Sequence, residues 1–446
     1  MKIGIVSLGC PKNLVDSEVM VGLLEKDGYE VSEDLTESDL VIVNTCSFIK
    51  DAKEESIDTI MELAKLKKDG KLKKLLVAGC LPQRYKEDLA NELKEVDGFV
   101  GINSIPDIGK VVQDTLNGKR VIHIENTRYL YSHDTPRRLI APSHSVYIKV
   151  AEGCDNRCSY CIIPEIRGHY TSRPMESIVE EADNLVENGA KEINLISQDT
   201  TFYGKDIYGR YALSELLKKL ARIDGIKWLR LLYTHPAHFT DELIDTIADE
   251  ISICKYIDLP LQHISDNILE RMGRNVTKCE ILSLLKKLRE RIAGLVLRTS
   301  FIVGFPGETE DEFKELLDFI EEIRFERLGV FTYSKEEDTP AYGFDFHVNE
   351  GTKRKRLNAV MELQKSISQE YNQSLSGKKF QVLVDEIDDK DRHLVIARTY
   401  GDAPEVDGQV FVKSCRVCSK GEFLDVKVID TYEYDLVAET INEPAK

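Results

Sequence analysis

The chain has 446 residues, 42% hydrophobic and 31% charged, which suits two or three globular domains. Sixty Lys and Arg stand against 78 Asp and Glu, a formal net charge of −18, which argues against a polyanionic substrate and for a basic one. No apolar run approaches the roughly 18 residues of a membrane span. Met1–Ile5 leads into a strand pattern without a secretory leader, and ten cysteines in such a chain read as ligands or core residues, so the expected compartment is the cytoplasm.

Residues 1–120 alternate strand and helix patterns. Strand Lys2–Leu8 precedes Gly9-Cys10, and helix Asp16–Glu25 closes at Gly28. Strand Leu40–Asn44 precedes Thr45-Cys46, helix Lys50–Leu66 follows, and strand Leu75–Ala78 precedes Gly79-Cys80. The order β-α-β-α-β predicts a parallel, doubly wound sheet, in which ligands bind beyond the carboxyl ends of the strands. Cys10, Cys46 and Cys80 each fall just past such an end, so residues far apart in sequence should converge. One cysteine there would be a small core residue; three in equivalent places point to a metal site. Three ligands on a four-iron cube leave one iron open.

His123–Ser143 carries Arg128, Arg137, Arg138, Tyr129, Tyr131, Pro136 and Pro142 without periodicity. It reads as a connection between domains, either a solvated loop or a lining of the cleft between them.

Six strand patterns follow: Val146–Ala151, Glu192–Gln198, Trp228–Thr234, Tyr256–Leu261, Val296–Val303 and Leu328–Ser334. Helical patterns at Met175–Glu187, Leu213–Ile223, Asp241–Glu250, Lys278–Arg291 and Glu310–Ile323 separate them, and a long polar helix spans about Thr352–Leu375. Six β/α units fall short of the eight that close a barrel, which predicts an open (β/α)6 partial barrel with active groups at the strand C-termini. Just after the first strand stand Cys154, Cys158 and Cys161, spaced C-x3-C-x2-C. No fourth cysteine lies nearby, the next being Cys254, so a cluster held here also keeps an open iron. A zinc site would need a second C-x2-C about 15–20 residues away; the only other such pair is Cys415/Cys418. Other strand ends carry Ser197-Gln198-Asp199, Thr234-His235-Pro236, Gln262-His263 and Gly304-Phe305-Pro306-Gly307-Glu308; the last lacks the ending of a phosphate-binding loop. Lys353-Arg354-Lys355-Arg356 is the one basic run, either a solvated helix face or a nucleic-acid contact.

Residues 377–446 alternate apolar and polar positions at Phe380–Val384, Leu394–Arg398, Val410–Lys413, Glu422–Ile429 and Tyr434–Ala438, which predicts a small OB-like β-barrel. Ten Lys and Arg against fifteen Asp and Glu fit docking to a basic protein better than to RNA. Cys415 and Cys418 read as a hairpin pair without a catalytic role.

The loop Cys154-Asp155-Asn156-Arg157-Cys158-Ser159-Tyr160-Cys161 resembles that of the radical S-adenosylmethionine (SAM) enzymes. The runs Ser7-Leu8-Gly9-Cys10-Pro11-Lys12-Asn13, Asp16-Ser17-Glu18, Asn44-Thr45-Cys46-Ser47-Phe48-Ile49 and Ala78-Gly79-Cys80 resemble the N-terminal domain of the methylthiotransferases, a branch of that family. Its tRNA-modifying members usually carry Gln-Met-Asn after the first cysteine; Pro11-Lys12-Asn13 is similar to the branch that modifies a ribosomal protein. The terminal segment resembles a TRAM domain.

The resemblance implies a methylthiotransferase N-terminal domain (1–120), a radical SAM core (140–371) and a TRAM domain (373–441). It implies two 4Fe–4S clusters, on Cys10, Cys46 and Cys80 and on the catalytic triad Cys154, Cys158 and Cys161, with SAM bound at the latter. The expected reaction inserts a methylthio group at the β-carbon of an aspartate of small-subunit ribosomal protein S-twelve, free or in the ribosome. An electron donor such as flavodoxin or ferredoxin would serve a monomer with no membrane attachment. For SAM, Arg298 is the candidate for the carboxylate, Gln198 and Asp199 for the ribose or amino group, and Tyr160 and Ile302 for the adenine. Methylthiolation of tRNA adenosine and a non-catalytic iron–sulfur carrier are the alternatives.

Overall fold

Apolar strands ending in Gly-Cys or Thr-Cys build the first sheet. In the computed structural model, which describes residues 1–32, 34–126 and 129–441, six parallel strands stand side by side in the order Glu30–Ser32, Lys2–Ser7, Leu40–Thr45, Lys74–Gly79, Gly98–Gly101 and Val121–His123. Leu40–Thr45 is buried along its whole length, as a strand covered on both faces must be. Three of these strands have no clear sequence signal, because Glu30–Ser32, Gly98–Gly101 and Val121–His123 span only three or four residues each, too few to show a period. The first helix is Pro11–Lys26 and starts before the expected Asp16. Proline suits the first helical turn, but Lys12, Asn13, Asp16, Ser17 and Glu18 are all buried. Polar residues on the inner face hide the amphipathic period.

The second sheet runs Ser145–Lys149, Glu192–Ile196, Trp228–Leu231, Ile253–Asp258, Val296–Val303 and Arg327–Thr332, all parallel and in sequence order. The first and last strands do not pair with each other, so this is the expected open partial barrel. Helices Met175–Glu187, Lys278–Arg291 and Glu310–Ile323 match their expected bounds. Thr277 with Glu280, and Thr309 with Glu312, form capping boxes that set two of the starts. The strand faces turned toward the helices share one apolar core with them that includes Ile148, Leu195, Leu229, Ile257, Leu297 and Val330.

The long helix Glu350–Ser374 lies against the last strand. The basic run is not a solvated face: Lys353 and Arg356 are buried. Lys353 Nζ donates to the Tyr333 carbonyl at 2.9 Å, and Arg356 Nη1 to that of Glu308 at 3.2 Å. A nucleic-acid role would have only Arg354 and Lys355 on the surface.

The terminal strands Lys379–Ile387, Leu394–Thr399, Val410–Lys413, Phe423–Thr431 and Leu436–Thr440 close into a barrel. Cys418 packs in its core and Cys415 is exposed. The barrel is clamped to the second sheet. Arg398 Nη2 meets Glu192 at 2.8 Å, Arg327 meets Asp402 at 2.7 Å, and the Trp228 and Phe423 rings meet edge to face at 5.0 Å. Asp385, one of the barrel's acids, accepts from Arg398 and His144 in this clamp.

The connection after the first sheet is no solvated loop. Tyr131 is buried, and Arg137 meets Glu18 of the first helix and Glu181 of the second module, each at 2.6 Å. Arg138 pairs with Glu25 and stays half exposed; Arg128 lies outside the described residues. A charged strap thus ties the two sheets together.

Candidate active site between the two sheets

Both sheets end their strands on one cavity of about 430 Å³, and the six cysteines of the two triads all line it. Three local devices place the N-terminal triad. Cys10 caps the helix that starts at Pro11, Cys46 follows Leu40–Thr45, and Cys80 opens the helix Cys80–Glu92. Helix N-termini favour anionic groups such as thiolates. Gly9 adopts φ +88°, and a Cβ there would lie 2.6 Å from the Cβ of Cys46, so the close approach of the first two cysteines requires glycine. Asn13 is the hub: its Nδ2 donates to the carbonyls of Leu8 and Thr45 at 3.1 and 3.0 Å, and its Oδ1 accepts from Arg167 at 2.7 Å.

The central triad sits on a loop pinned at several points. Cys154 N donates to the Gly168 carbonyl at 3.0 Å and Ser159 N to that of Met272 at 2.9 Å. Asn156 Nδ2 donates to Asp199 Oδ2 at 2.7 Å.

Burial pushes the Cys80 and Cys154 thiols up to about 12 and raises those of Cys46 and Cys161. Such thiols become thiolates when a cation compensates them, which a metal centre does. Among the described residues, the three-ligand sets whose donor atoms all lie within 4.8 Å are Asp199–His235–His238 and Asp107–His123–Glu125; the sulfurs of both triads stand wider apart. One tetrahedral zinc would draw three sulfurs to roughly 3.8 Å, from Zn–S bonds of about 2.3 Å. The wider spread and the all-thiol donor sets fit an iron–sulfur cluster on each triad.

The other expected residues divide. Gln198, Arg298, Tyr160 and Ile302 line the cavity, as do Thr234, His235 and Gln262. Tyr160 and Ile302 pack with Phe305 and Tyr333 as one apolar wall. Asp199 is buried and is not among the residues that line the cavity: its carboxylate accepts from Asn156, Thr201 and His238 at 2.6–2.8 Å. Arg298 is already held by acids, Asp258 at 2.8 Å and Asp407 of the terminal barrel at 3.4 Å. Tyr233 and Gln262 adopt left-handed backbone, φ 59° and 72°, a strain typical of functional rims.

Three cavity cations carry no sequence-assigned role. Arg274 donates to the Pro260 carbonyl at 2.5 Å and lies 3.8 Å from Cys158 Sγ. It makes no ion pair among the described residues. Arg167 bridges to the N-terminal triad. Lys12 stands over the Tyr233 ring, and burial lowers its ammonium to about 8. Of the three, only Lys12 had a sequence signal, as a departure from Gln-Met-Asn.

Comparison with known proteins places these modules. The model described as Uncharacterized protein family UPF0004 matches residues 2–101, the Radical SAM superfamily 148–320 and the TRAM domain 377–441. The chain is 50% identical over 438 residues to the ribosomal protein uS12 methylthiotransferase RimO of Desulforamulus reducens, covering 98% of this chain and 99% of that one. It is 48% identical over 446 residues to the RimO of Clostridioides difficile, covering 100% of both. Among solved structures, the radical SAM methyltransferase TsrM of Kitasatospora setae, with cobalamin and a 4Fe–4S cluster bound, superposes with a TM-score of 0.56 at 18% identity over 76% of each chain, a likeness of fold.

Proposed function

The chain belongs to the RimO family of ribosomal protein uS12 methylthiotransferases, and on that premise we propose how its residues divide the work. It is a radical SAM enzyme that transfers a methylthio group to uS12, and its cofactors are iron–sulfur and SAM. The finer reading is two 4Fe–4S clusters, one on Cys10, Cys46 and Cys80 and one on Cys154, Cys158 and Cys161, acting on the β-carbon of an aspartate.

The observation that carries it is that triads from two separate sheets line one cavity. An unactivated C–H bond offers a side-chain base no acidity, so the cofactors carry the hard chemistry and the protein positions it. When bound, they would supply a hydrogen-abstracting radical beside Cys154, Cys158 and Cys161, and the sulfur and methyl of the methylthio group beside Cys10, Cys46 and Cys80. The shared cavity lets both reach the same carbon.

The chain's own groups hold and orient. Tyr160 and Ile302 form the apolar wall for adenine, and Gln198 offers an amide to the ribose or amino group. Arg274 is the better partner for the SAM carboxylate, because Arg298 would first have to release Asp258 and Asp407. Asp199 acts indirectly, fixing the cysteine loop through Asn156. The rest of the proposal is a cytoplasmic monomer served by flavodoxin or ferredoxin.

Mass spectrometry of uS12 and of tRNA, from cells with and without the gene, tests this reading. A methylthio group that vanishes from the uS12 aspartate when the gene is removed supports it. Loss from tRNA adenosine alone would transfer the enzyme to the other branch.

A further inference from the structure

Among the described residues, Lys12 is the only cation that the N-terminal sheet module contributes to the cavity wall. Its side chain is 4% exposed, and its ammonium lies 2.9 Å from the centre of the Tyr233 ring, between the two modules. The other cavity cations have polar partners: Arg167 holds Glu152 and Asp16, Arg298 holds Asp258, and Arg274 donates to a carbonyl. Among the described residues Lys12 makes no hydrogen bond and no ion pair; its contact is the Tyr233 ring face, and Cys10, Asp258 and Glu152 act on its charge only from beyond hydrogen-bond distance.

A buried ammonium whose one contact is a ring stays under-compensated even with acids at longer range: burial outweighs them in Lys12, since a ring face replaces just part of its lost hydration. A neutral base entering the cavity would seal the charge in unpaired, whereas a carboxylate would neutralise it. This asymmetry discriminates between ligands more sharply than shape can, because the wrong ligand leaves a buried polar group unsatisfied.

We propose that Lys12 is the carboxylate-binding subsite of the cavity, pairing with the side chain of the target aspartate and so holding the adjacent β-carbon between the two triads. The subsite rests on the reading of uS12 as substrate. It gives Lys12 a physical role in separating an anionic protein side chain from a neutral nucleobase.

The test uses the iron-loaded enzyme, with uS12 and uS12 carrying Asn at the target aspartate as probes. Binding of each is measured by fluorescence anisotropy to wild type, Lys12→Met and Lys12→Arg, with iron and sulfide assayed in every sample. Wild type should prefer the aspartate form by at least about tenfold, the scale of a hydrogen bond to a charged group. Lys12→Met should bind both forms alike, and Lys12→Arg, which keeps the charge, should restore part of the preference. Equal binding of both forms by wild type, or an undiminished preference in Lys12→Met, would overturn the subsite and leave the enzyme's function standing. Loss of iron from Lys12→Met would make Lys12 part of the N-terminal metal site and overturn it too. No binding of either uS12 form by wild type would overturn the functional reading, and the subsite with it.

Discussion

The guanidinium of Arg167 lies 3.5 Å from the sulfur of Cys80, so a residue that follows the central triad reaches a ligand of the N-terminal one. The same side chain spans the module boundary. Its Nη2 donates to Asn13 at 2.7 Å and to Asp16 at 3.1 Å, and its Nη1 to both oxygens of Glu152 at 2.9 Å. Lys149 meets Asp16 and Glu152 as well, at 2.5 and 2.9 Å. The two triads are therefore held by one buried ionic network.

Arg167→Met should accordingly be costly. It leaves buried carboxylates short of a partner, for which about 3–5 kcal/mol is the expected loss. Urea unfolding measures this, and iron assays should show reduced occupancy of the N-terminal triad. Arg167→Lys has one nitrogen in place of the two that hold Glu152 and Asp16 at once, so it should recover only part of either. Unchanged stability and iron in Arg167→Met would show the network to be incidental.

The cysteine triads should separate by mutation. Cys10→Ala and Cys154→Ala should each remove one cluster from reconstituted protein and leave the other, as read by iron content and electron paramagnetic resonance. Cys46→Ala should still cleave SAM but form no methylthio product, whereas Cys158→Ala should fail at both. Normal product from Cys46→Ala would mean that the sulfur comes from elsewhere.

Acid should loosen the terminal barrel through Glu192. Burial by itself would raise this carboxyl, but Arg398 and Arg230 overcome it and hold the group at about 2, below its ordinary 4.5. A folded value below the unfolded one means that the stabilisation is complete above about pH 4.5 and is lost as pH falls through about 2. Urea unfolding at a series of pH values should show stability falling across that window. Glu192→Gln should flatten this part of the curve and lower stability at neutral pH, where two arginines lose their acid. An identical acid slope in wild type and Glu192→Gln would assign the effect to other carboxylates.

Charge on the terminal barrel should steer uS12. Asp385 is committed to Arg398 and His144, but Glu386 and Asp389 are exposed. Reversing these two to Lys should slow association with basic uS12, and the deficit should shrink as salt shortens the Debye length from about 10 Å at 0.1 M. Stopped-flow rates at low and high salt measure it; equal rates at low salt would remove the barrel's acids from recognition.

The sequence by itself determined the features that local chemistry writes along the chain. The three-cysteine loop Cys154–Cys161, the cysteines placed after Leu40–Thr45 and Lys74–Gly79, and the apolar runs of six β/α units are short-range patterns. They remain legible because a strand period or a ligand spacing needs only neighbouring residues. Pro11-Lys12-Asn13 stood out in the same way, as a substitution within a recognised run.

Only the tertiary structure decided which polar groups are buried and what each one faces. Arg167 finds Cys80 across 87 positions of sequence. Arg298 is claimed by Asp407 of the terminal barrel, Asp199 turns back to hold Asn156, and Lys353 and Arg356 of the basic run disappear into the interior. A charged residue looks the same in sequence whether it is solvated or paired. Its place is set by the balance of desolvation against partners from distant segments, and those partners meet only when the sheets, the strap and the barrel have packed.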